Sequence, residues 1–390
     1  MRMGVWAKAG SARAIAAARD KGVRSIVGGA SLDSGMQVYR GYANGRQEDD
    51  QANVAPRRKG LDGMLGWPRG HATSMTLPAH SEETGAPKYH LEDEFPLRLR
   101  LMRWLGRQHW WTRGGDAVLR RLHHPDANRH YLFEVDFFGK RYRGDLAHYI
   151  DWVVFCYGGA PLKELALLRE LAAEVRRLRP GPITCYDVGA NVGHHTLFMS
   201  GIVDRVIAFE PFAAVRKQME DKISLNHIKN VQIIPVALGA RDEDLAYFPG
   251  EGANSGIGTF VVENAPQNRV SHVLPVRRGD TLFTEKALPV IDILKVDVEG
   301  FEANVFEGLV ERIAHDRPVI VTEILDASRS LIGGDAAFRK FFYEGAVFAE
   351  VQGPLNSDKF ILRPYRYETS DEVVIVPPEM AEFINSRIVR

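Results

Sequence analysis

One stretch constrains this chain more than any other: residues 183–211, ITCYDVGANVGHHTLFMSGIVDRVIAFEP. Residues 183–188 are a short apolar run bounded by Pro182 in front and Gly189 behind, the pattern of a buried strand. GANVG (189–193) follows as a tight turn, residues 196–200 begin a helix, and 205–209 form a second apolar run that ends on the acid Glu210. A strand, a glycine turn, a helix, a second strand and an acid make a βαβ unit built to hold a nucleoside. Glycines let the backbone approach a ligand closely, the helix start offers free N–H groups, and a carboxylate about 20 residues on accepts both ribose hydroxyls.

Spacing decides which nucleoside. A dinucleotide fold requires G-x-G-x-x-G so that a pyrophosphate sits on the helix end. Here Asn191 stands at the third position, Gly193 comes late and His194 replaces the last glycine. The turn is D-x-G-x-N-x-G, with Asp187 at the strand end. An acid there repels phosphate and suits an ammonium group. S-adenosylmethionine has an amino group and a sulfonium and no phosphate, so the nicotinamide reading loses to it.

At 390 residues, 45% of them hydrophobic, the chain is long enough for one large core or two moderate ones. Its net charge is zero but unevenly spread: residues 1–130 hold 21 Lys and Arg against 13 Asp and Glu, which is +8 and leaves −8 for the rest. A solvated basic segment accounts for that asymmetry, and no nucleic-acid partner is expected. Cys156 and Cys185 lie in apolar contexts without disulfide or metal spacing, which fits a reducing, cytoplasmic setting. No run of 18 apolar residues marks a membrane span, and charges interrupt any signal-peptide core near the start.

Three domains are expected. Residues 1–90 are rich in Gly, Ala, Ser and Arg and read as a disordered extension, or as a segment upstream of a true start at, for example, Met75; a helix at 7–20 and the PRRKG linker are its features. Residues 91–180 read as a helical and hairpin cap. Helices are expected at 95–106 and 117–123, a hairpin at 131–143 around Gly139, and an amphipathic helix at 162–178. His109-Trp110-Trp111, His123-His124 and the aromatics of 145–157 are read as packing and surface, while Arg143, Asp145, Tyr149 and Asp151 are pocket candidates. Residues 181–390 hold the nucleoside domain, a doubly wound α/β fold with a mostly parallel sheet.

Within it, a helix is expected at 213–226 and a third strand at 231–236, closed by Ala237-Leu238-Gly239. Ligands sit beyond the carboxyl ends of such strands. Adenine is therefore expected near Val236, Ala237 and Leu238, with Asn230 or Asp242 reaching its amino group. Residues 245–276, with NSGIGTF (254–260), read as a flexible loop over the site. The second informative stretch is VIDILKVDVEGFEANVFEGL (290–309), where a strand at 291–298 puts Lys295, Asp297 and Glu299 on one face. Charges at a central strand end are costly to bury unless they pair or act. A Lys–Asp ion pair is the plain reading, and a reactive end facing the transferred group is the functional one. Glu323, near the end of a strand at 319–324, joins the same rim, and antiparallel strands at 346–351, 359–363 and 373–376 complete the sheet.

YDVGANVGHHT, VIAFEP, VALG, NSGIGTF, LKVDVEGFE and VIVTEI, in this order across residues 142–325, resemble the FkbM family of S-adenosylmethionine-dependent methyltransferases. The resemblance implies a class I methyltransferase (Rossmann-like) fold and O-methylation of a hydroxyl on a sugar, glycan or secondary metabolite. It implies Asp187, Gly189, Asn191 and Gly193 around the methionine part of the cofactor, Glu210 at the ribose, and Lys295, Asp297 and Glu299 at the reactive end; Ala190 and Pro211 are counted with the cofactor site and Glu323 with the reactive end. Transfer is an in-line displacement, in which positioning is worth ~7–11 kcal/mol and a base contributes ~10²–10⁴-fold. Asp297 and Glu299 are the leading bases; Glu323 and His195 follow. No ligand spacing calls for a metal. A non-catalytic scaffold with the same fold and a nicotinamide-dependent oxidoreductase are the competing readings.

Overall fold

The computed structural model describes residues 87–108, 115–127, 129–159, 161–250, 258–261 and 271–389. The expected helix at 7–20, the PRRKG linker, His109-Trp110-Trp111 and most of NSGIGTF lie outside them. The chain from Ala86 to Arg390 forms one compact unit.

That unit starts with helices α1 (Leu97–Gly106) and α2 (Gly115–Leu122) and the hairpin β1 (Leu132–Phe137) and β2 (Lys140–Asp145). The hairpin pairs from Leu132↔Asp145 to Phe137↔Lys140, and its alternation buries Phe133, Val135, Phe137 and Tyr142. Helix α3 (Tyr149–Tyr157) buries Trp152, whose indole N–H donates to the His123 carbonyl at 2.8 Å. A buried indole needs such a partner. Three of the pocket candidates are committed elsewhere. Arg143 pairs with Glu134 at 2.8 Å, Asp145 accepts the Tyr131 N–H at 2.9 Å, and Asp151 accepts the Tyr142 hydroxyl at 2.6 Å.

Helix α4 (Leu162–Leu178) has the expected bounds. Pro161 precedes it, Leu165, Leu168, Leu171, Ala172 and Val175 form its buried stripe, and Arg176 and Arg177 sit where the helix dipole favours cations. Its apolar face joins one core that includes Phe133, Trp152, Cys185, Val206, Val319 and Val374. Each such side chain is worth about 1.5–3 kcal/mol on burial.

The sheet follows. In chain order come β3 (Thr184–Val188), α5 (His194–Met199), β4 (Arg205–Phe209), α6 (Ala213–Leu225), β5 (Val231–Ile234), β6 (Ala237–Gly239), β7 (Glu243–Tyr247), β8 (His272–Arg278) and α7 (Gly279–Glu285). Then come β9 (Ile293–Val296), α8 (Glu302–Gly308), α9 (Val310–Asp316), β10 (Val319–Glu323), α10 (Asp326–Ile332), α11 (Asp335–Phe338), β11 (Val347–Gln352), β12 (Ile361–Pro364) and β13 (Glu372–Val376). Eight strands form one sheet in the order β12-β11-β13-β10-β9-β3-β4-β5. From β10 to β5 every pairing is parallel, while β13 runs antiparallel between β10 and β11. Strand β3 is buried along its whole length, as a central parallel strand must be.

Two expectations change here. Residues 237–239 do not end the third strand; they form β6, which joins β8 and β7 in a separate three-stranded sheet. The flanks of the 245–276 loop are likewise β7 and β8, paired from Glu243↔Val276 to Tyr247↔His272. The acidic, glycine-rich composition of that stretch masked the period-two alternation in which Leu245 and Tyr247 are more buried than Asp244 and Ala246.

Candidate active site

The carboxyl ends of β4, β3, β9 and β10 and the start of β13 open onto one cavity of about 250 Å³. Walking across the sheet, its walls carry Glu210, then Gly189 and Asn191, then Asp297 and Glu299, then Glu323, and lastly Glu372. Pro161 and Glu164 of the α4 start, Tyr149 of α3, His194 and His195 of α5, and Tyr247, Phe260 and Phe301 close it from above.

The bend after β3 is made by backbone. Gly189 has φ +82°, and a Cβ there would sit 1.9 Å from the Asp297 carbonyl oxygen, so only glycine lets the ends of β3 and β9 meet. The Gly189 and Ala190 N–H groups donate to the Phe209 carbonyl at 3.1 and 3.0 Å, which fixes the bend against β4. Glu210 accepts the Asn191 N–H at 3.0 Å and the Phe212 N–H at 2.8 Å. Each of its oxygens keeps a further lone pair, and the residue lines the cavity. Burial raises this carboxyl to about 7.

Asp187 behaves differently from its expectation. It is 1% exposed, accepts the Thr196 hydroxyl at 2.6 Å and stands opposite Lys295 in the β3–β9 register. It is not part of the cavity wall, because β3 continues to Val188 and turns only at Gly189, which leaves Asp187 inside the sheet. Its Oδ1 is buried without a hydrogen-bond partner, and burial raises its carboxyl against the pull of Lys295. Ala190, Gly193 and Val236 also lie outside the wall, whereas Pro211, Ala237 and Leu238 belong to it. Neither polar group proposed for adenine faces it: Asn230 donates to the Ser200 and Val203 carbonyls at 3.0 and 3.1 Å, and Asp242 accepts the Arg278 N–H at 2.7 Å.

The turn after β9 is made by side chains. The strand ends at Val296, so the period-two face expected for Lys295, Asp297 and Glu299 does not extend past it. Lys295 is 2% exposed and outside the wall, with its ammonium 3.0 Å from Asp297 and 3.9 Å from Glu164. Burial opposes its charge, but Asp297, Glu164 and Asp187 outweigh that and raise its pKa. Asp297 is thus ion-paired and also lines the cavity. Glu299 takes φ +54°, a strained conformation for a non-glycine residue. Glu302 holds the turn by accepting the Gly300 N–H at 3.0 Å, and its carboxylate is in turn contacted by the Ser328 hydroxyl. Burial, then the charges of Asp297 and Glu302, push Glu299 up to about 8. Burial, then Asp297, Glu299 and Glu372, push Glu323 up to about 9.

His195 is 3% exposed, and burial lowers its pKa far enough to keep it neutral; its Nε2 lies 3.4 Å from Glu164, too poorly aligned for a hydrogen bond. His194, not anticipated, packs against it with ring centroids 4.0 Å apart. Glu164 and Glu372 were also missed. In sequence, one is an ordinary first-turn acid of an amphipathic helix and the other opens an apolar strand. Among the described residues, no three His, Cys, Asp or Glu side chains converge to hold a metal ion, and no helix is long and apolar enough to cross a membrane.

Five parallel strands in the order β10-β9-β3-β4-β5, with β13 inserted antiparallel beside β11, are the class I methyltransferase fold. Residues 187–346 match the family model described as the methyltransferase FkbM domain. AMB antimetabolite synthetase AmbE of Pseudomonas aeruginosa is 26% identical over 192 residues, 40% of this chain and 9% of that protein. Methyltransferase 1 of Beauveria bassiana is 29% identical over 181 residues, 42% of this chain and 71% of its own length. Hexuronic acid methyltransferase AglP of Haloferax volcanii is 28% identical over 139 residues, 35% of this chain and 54% of its own.

Proposed function

We propose that this chain transfers a methyl group from S-adenosylmethionine to a hydroxyl of a small-molecule or glycan acceptor. The observation that carries the reading is Glu210, a buried carboxylate fixed by two backbone N–H groups beside the glycine bend, with lone pairs left for a ribose diol. Carboxylates around the cavity suit a cationic nucleoside and repel a pyrophosphate. When bound, S-adenosylmethionine supplies a methyl group already activated on a sulfonium. The protein's share is to align the acceptor oxygen with that carbon, to exclude water and to take the hydroxyl proton.

Glu299 suits the last task. Its carboxyl, raised to about 8, is basic enough to accept a proton and ionised in useful amounts near neutral pH. With bound S-adenosylmethionine supplying the methyl carbon and its sulfur keeping the carbon–sulfur electron pair, Glu299 would take the proton of the attacking hydroxyl. The buried, neutral imidazoles of His194 and His195 and the rings of Tyr149, Tyr247 and Phe301 keep water from the same space. Two buried thiols, Cys156 and Cys185, fit work in a reducing compartment.

The test is a binding titration with S-adenosylhomocysteine followed by transfer of a deuterated methyl group to a metabolite extract. Stabilisation by S-adenosylhomocysteine that Glu210→Ala removes, together with labelled product, is the expected result. Stabilisation by NAD and none by S-adenosylhomocysteine overturns it.

A further inference from the structure

The far end of the cavity is more acidic than methyl transfer to a plain hydroxyl requires. Six carboxylates line the space: Glu164, Glu210, Asp297, Glu299, Glu323 and Glu372. No lysine or arginine is among the described residues of the wall. Lys295 answers Asp297 from behind, and Lys163 answers Glu372 at 2.7 Å. Burial, then the acids Asp297, Glu299, Glu372 and Glu302, raise the Glu323 carboxyl.

Glu323 and Glu372 are the sharpest anomaly, because they are direct partners in the antiparallel β10–β13 ladder. Like charges placed opposite each other destabilise a sheet. Both stand at the rim three and four strands from Glu210, about 14 and 19 Å away at the ordinary strand spacing. They thus lie beyond a nucleoside anchored at β4, on the acceptor's side. Glu372 Oε2 is buried without a hydrogen-bond partner. A second group waits in the same cavity: His194 is 7% exposed, lines the wall, and has no hydrogen-bond partner for its Nδ1.

Resting on the methyl-transfer reading, we infer that the acceptor carries a protonated amine, which Glu323 and Glu372 bind as a pair, while its hydroxyl lies toward Glu299 and His194. An ammonium group between the two facing carboxyls lets both ionise, where burial and the neighbouring acids otherwise hold the Glu323 proton, and it provides a donor for the free Glu372 oxygen. A sulfonium offsets one acid of this wall, and at the β10–β13 end the Lys163 ammonium answers Glu372. A carboxylate-bearing acceptor would bring a seventh carboxyl group to a wall without a lysine or arginine, so a uronic acid does not fit here.

The experiment uses the full chain with deuterium-methyl S-adenosylmethionine and a cell extract split by ion exchange into cationic, neutral and anionic pools. Labelled product in the cationic pool is expected. For that acceptor, Glu323→Gln and Glu372→Gln each raise KM about 10- to 100-fold, the loss expected for a hydrogen bond to a charged group. The dissociation constant for S-adenosylhomocysteine stays within about twofold in both variants, since neither residue lies on the nucleoside side. Label confined to the neutral or anionic pools overturns the amine assignment and leaves methyl transfer standing. So does a cationic acceptor whose KM neither variant changes. No label in any pool, with no stabilisation by S-adenosylhomocysteine, overturns the underlying reading instead.

Discussion

Two bends meet under the cavity, one after β3 and one after β9, and they are built from opposite materials. The first is backbone: Gly189 and Gly193 at φ +82° and Asn191 at φ +53°, tied to the Phe209 carbonyl and to Glu210. The second is side chain: Glu299 at φ +54° and Gly300 at φ +100°, held by Glu302 and Ser328. The Phe209 carbonyl holds the first bend without a titrating group, and Glu210 adds one carboxylate contact to it, which suits holding a ligand in place. A bend fixed by carboxylates shifts with protonation and presents reactive oxygens, which suits chemistry.

The comparison breaks most visibly at Gly189. Gly189→Ala forces a side chain into left-handed backbone and against the Asp297 carbonyl, so a loss of about 2–6 kcal/mol in a denaturant melt is expected, with cofactor binding lost as well. Wild-type stability in that variant would show that β3 and β9 can part without cost.

Next in size is Glu299→Gln. It lowers kcat about 10²–10⁴-fold while leaving S-adenosylhomocysteine affinity unchanged, and it removes the rise in kcat that wild type shows as pH passes about 8. An unchanged profile assigns the proton to another group. Glu210→Ala does the reverse, weakening S-adenosylhomocysteine about 10- to 100-fold in a calorimetric titration. Together the two variants sharpen the division between a binding bend and a reacting one.

Smaller effects remain. Ser328→Ala deprives buried Glu302 of one donor and costs about 1–3 kcal/mol of stability, read as a shift in denaturant midpoint. Glu210, Glu299, Glu323 and Glu372 all hold protons more tightly in the folded chain than in the unfolded one. The native state therefore binds more protons between the unfolded carboxyl range and about 9, and stability falls as pH rises through that window. The melting temperature of the ligand-free protein is expected to be higher at pH 6 than at pH 9. A flat curve over that window would mean that the carboxylates are better hydrated than their burial implies.

Much of this was legible in the sequence because it rests on local rules. The bounds of α4 and β4 follow from periodicity and punctuation, and Gly189, Asn191, Glu210, Asp297, Glu299 and Glu323 follow from their places at strand ends. Asp187 shows where such rules stop. One residue of extra strand before the turn puts it inside the sheet beside Lys295 and not in the cavity.

What the chain determined alone is the βαβ unit, its acid and a glycine turn without dinucleotide spacing, since each depends on neighbours a few residues apart. The tertiary structure decided which acids share a wall. Glu164 and Glu372 are separated by more than half the chain and become neighbours only because α4 starts where β13 begins, with Lys163 pairing to Glu372 across that junction. Charge repulsion of that kind depends on distance in space, and sequence spacing carries no measure of it.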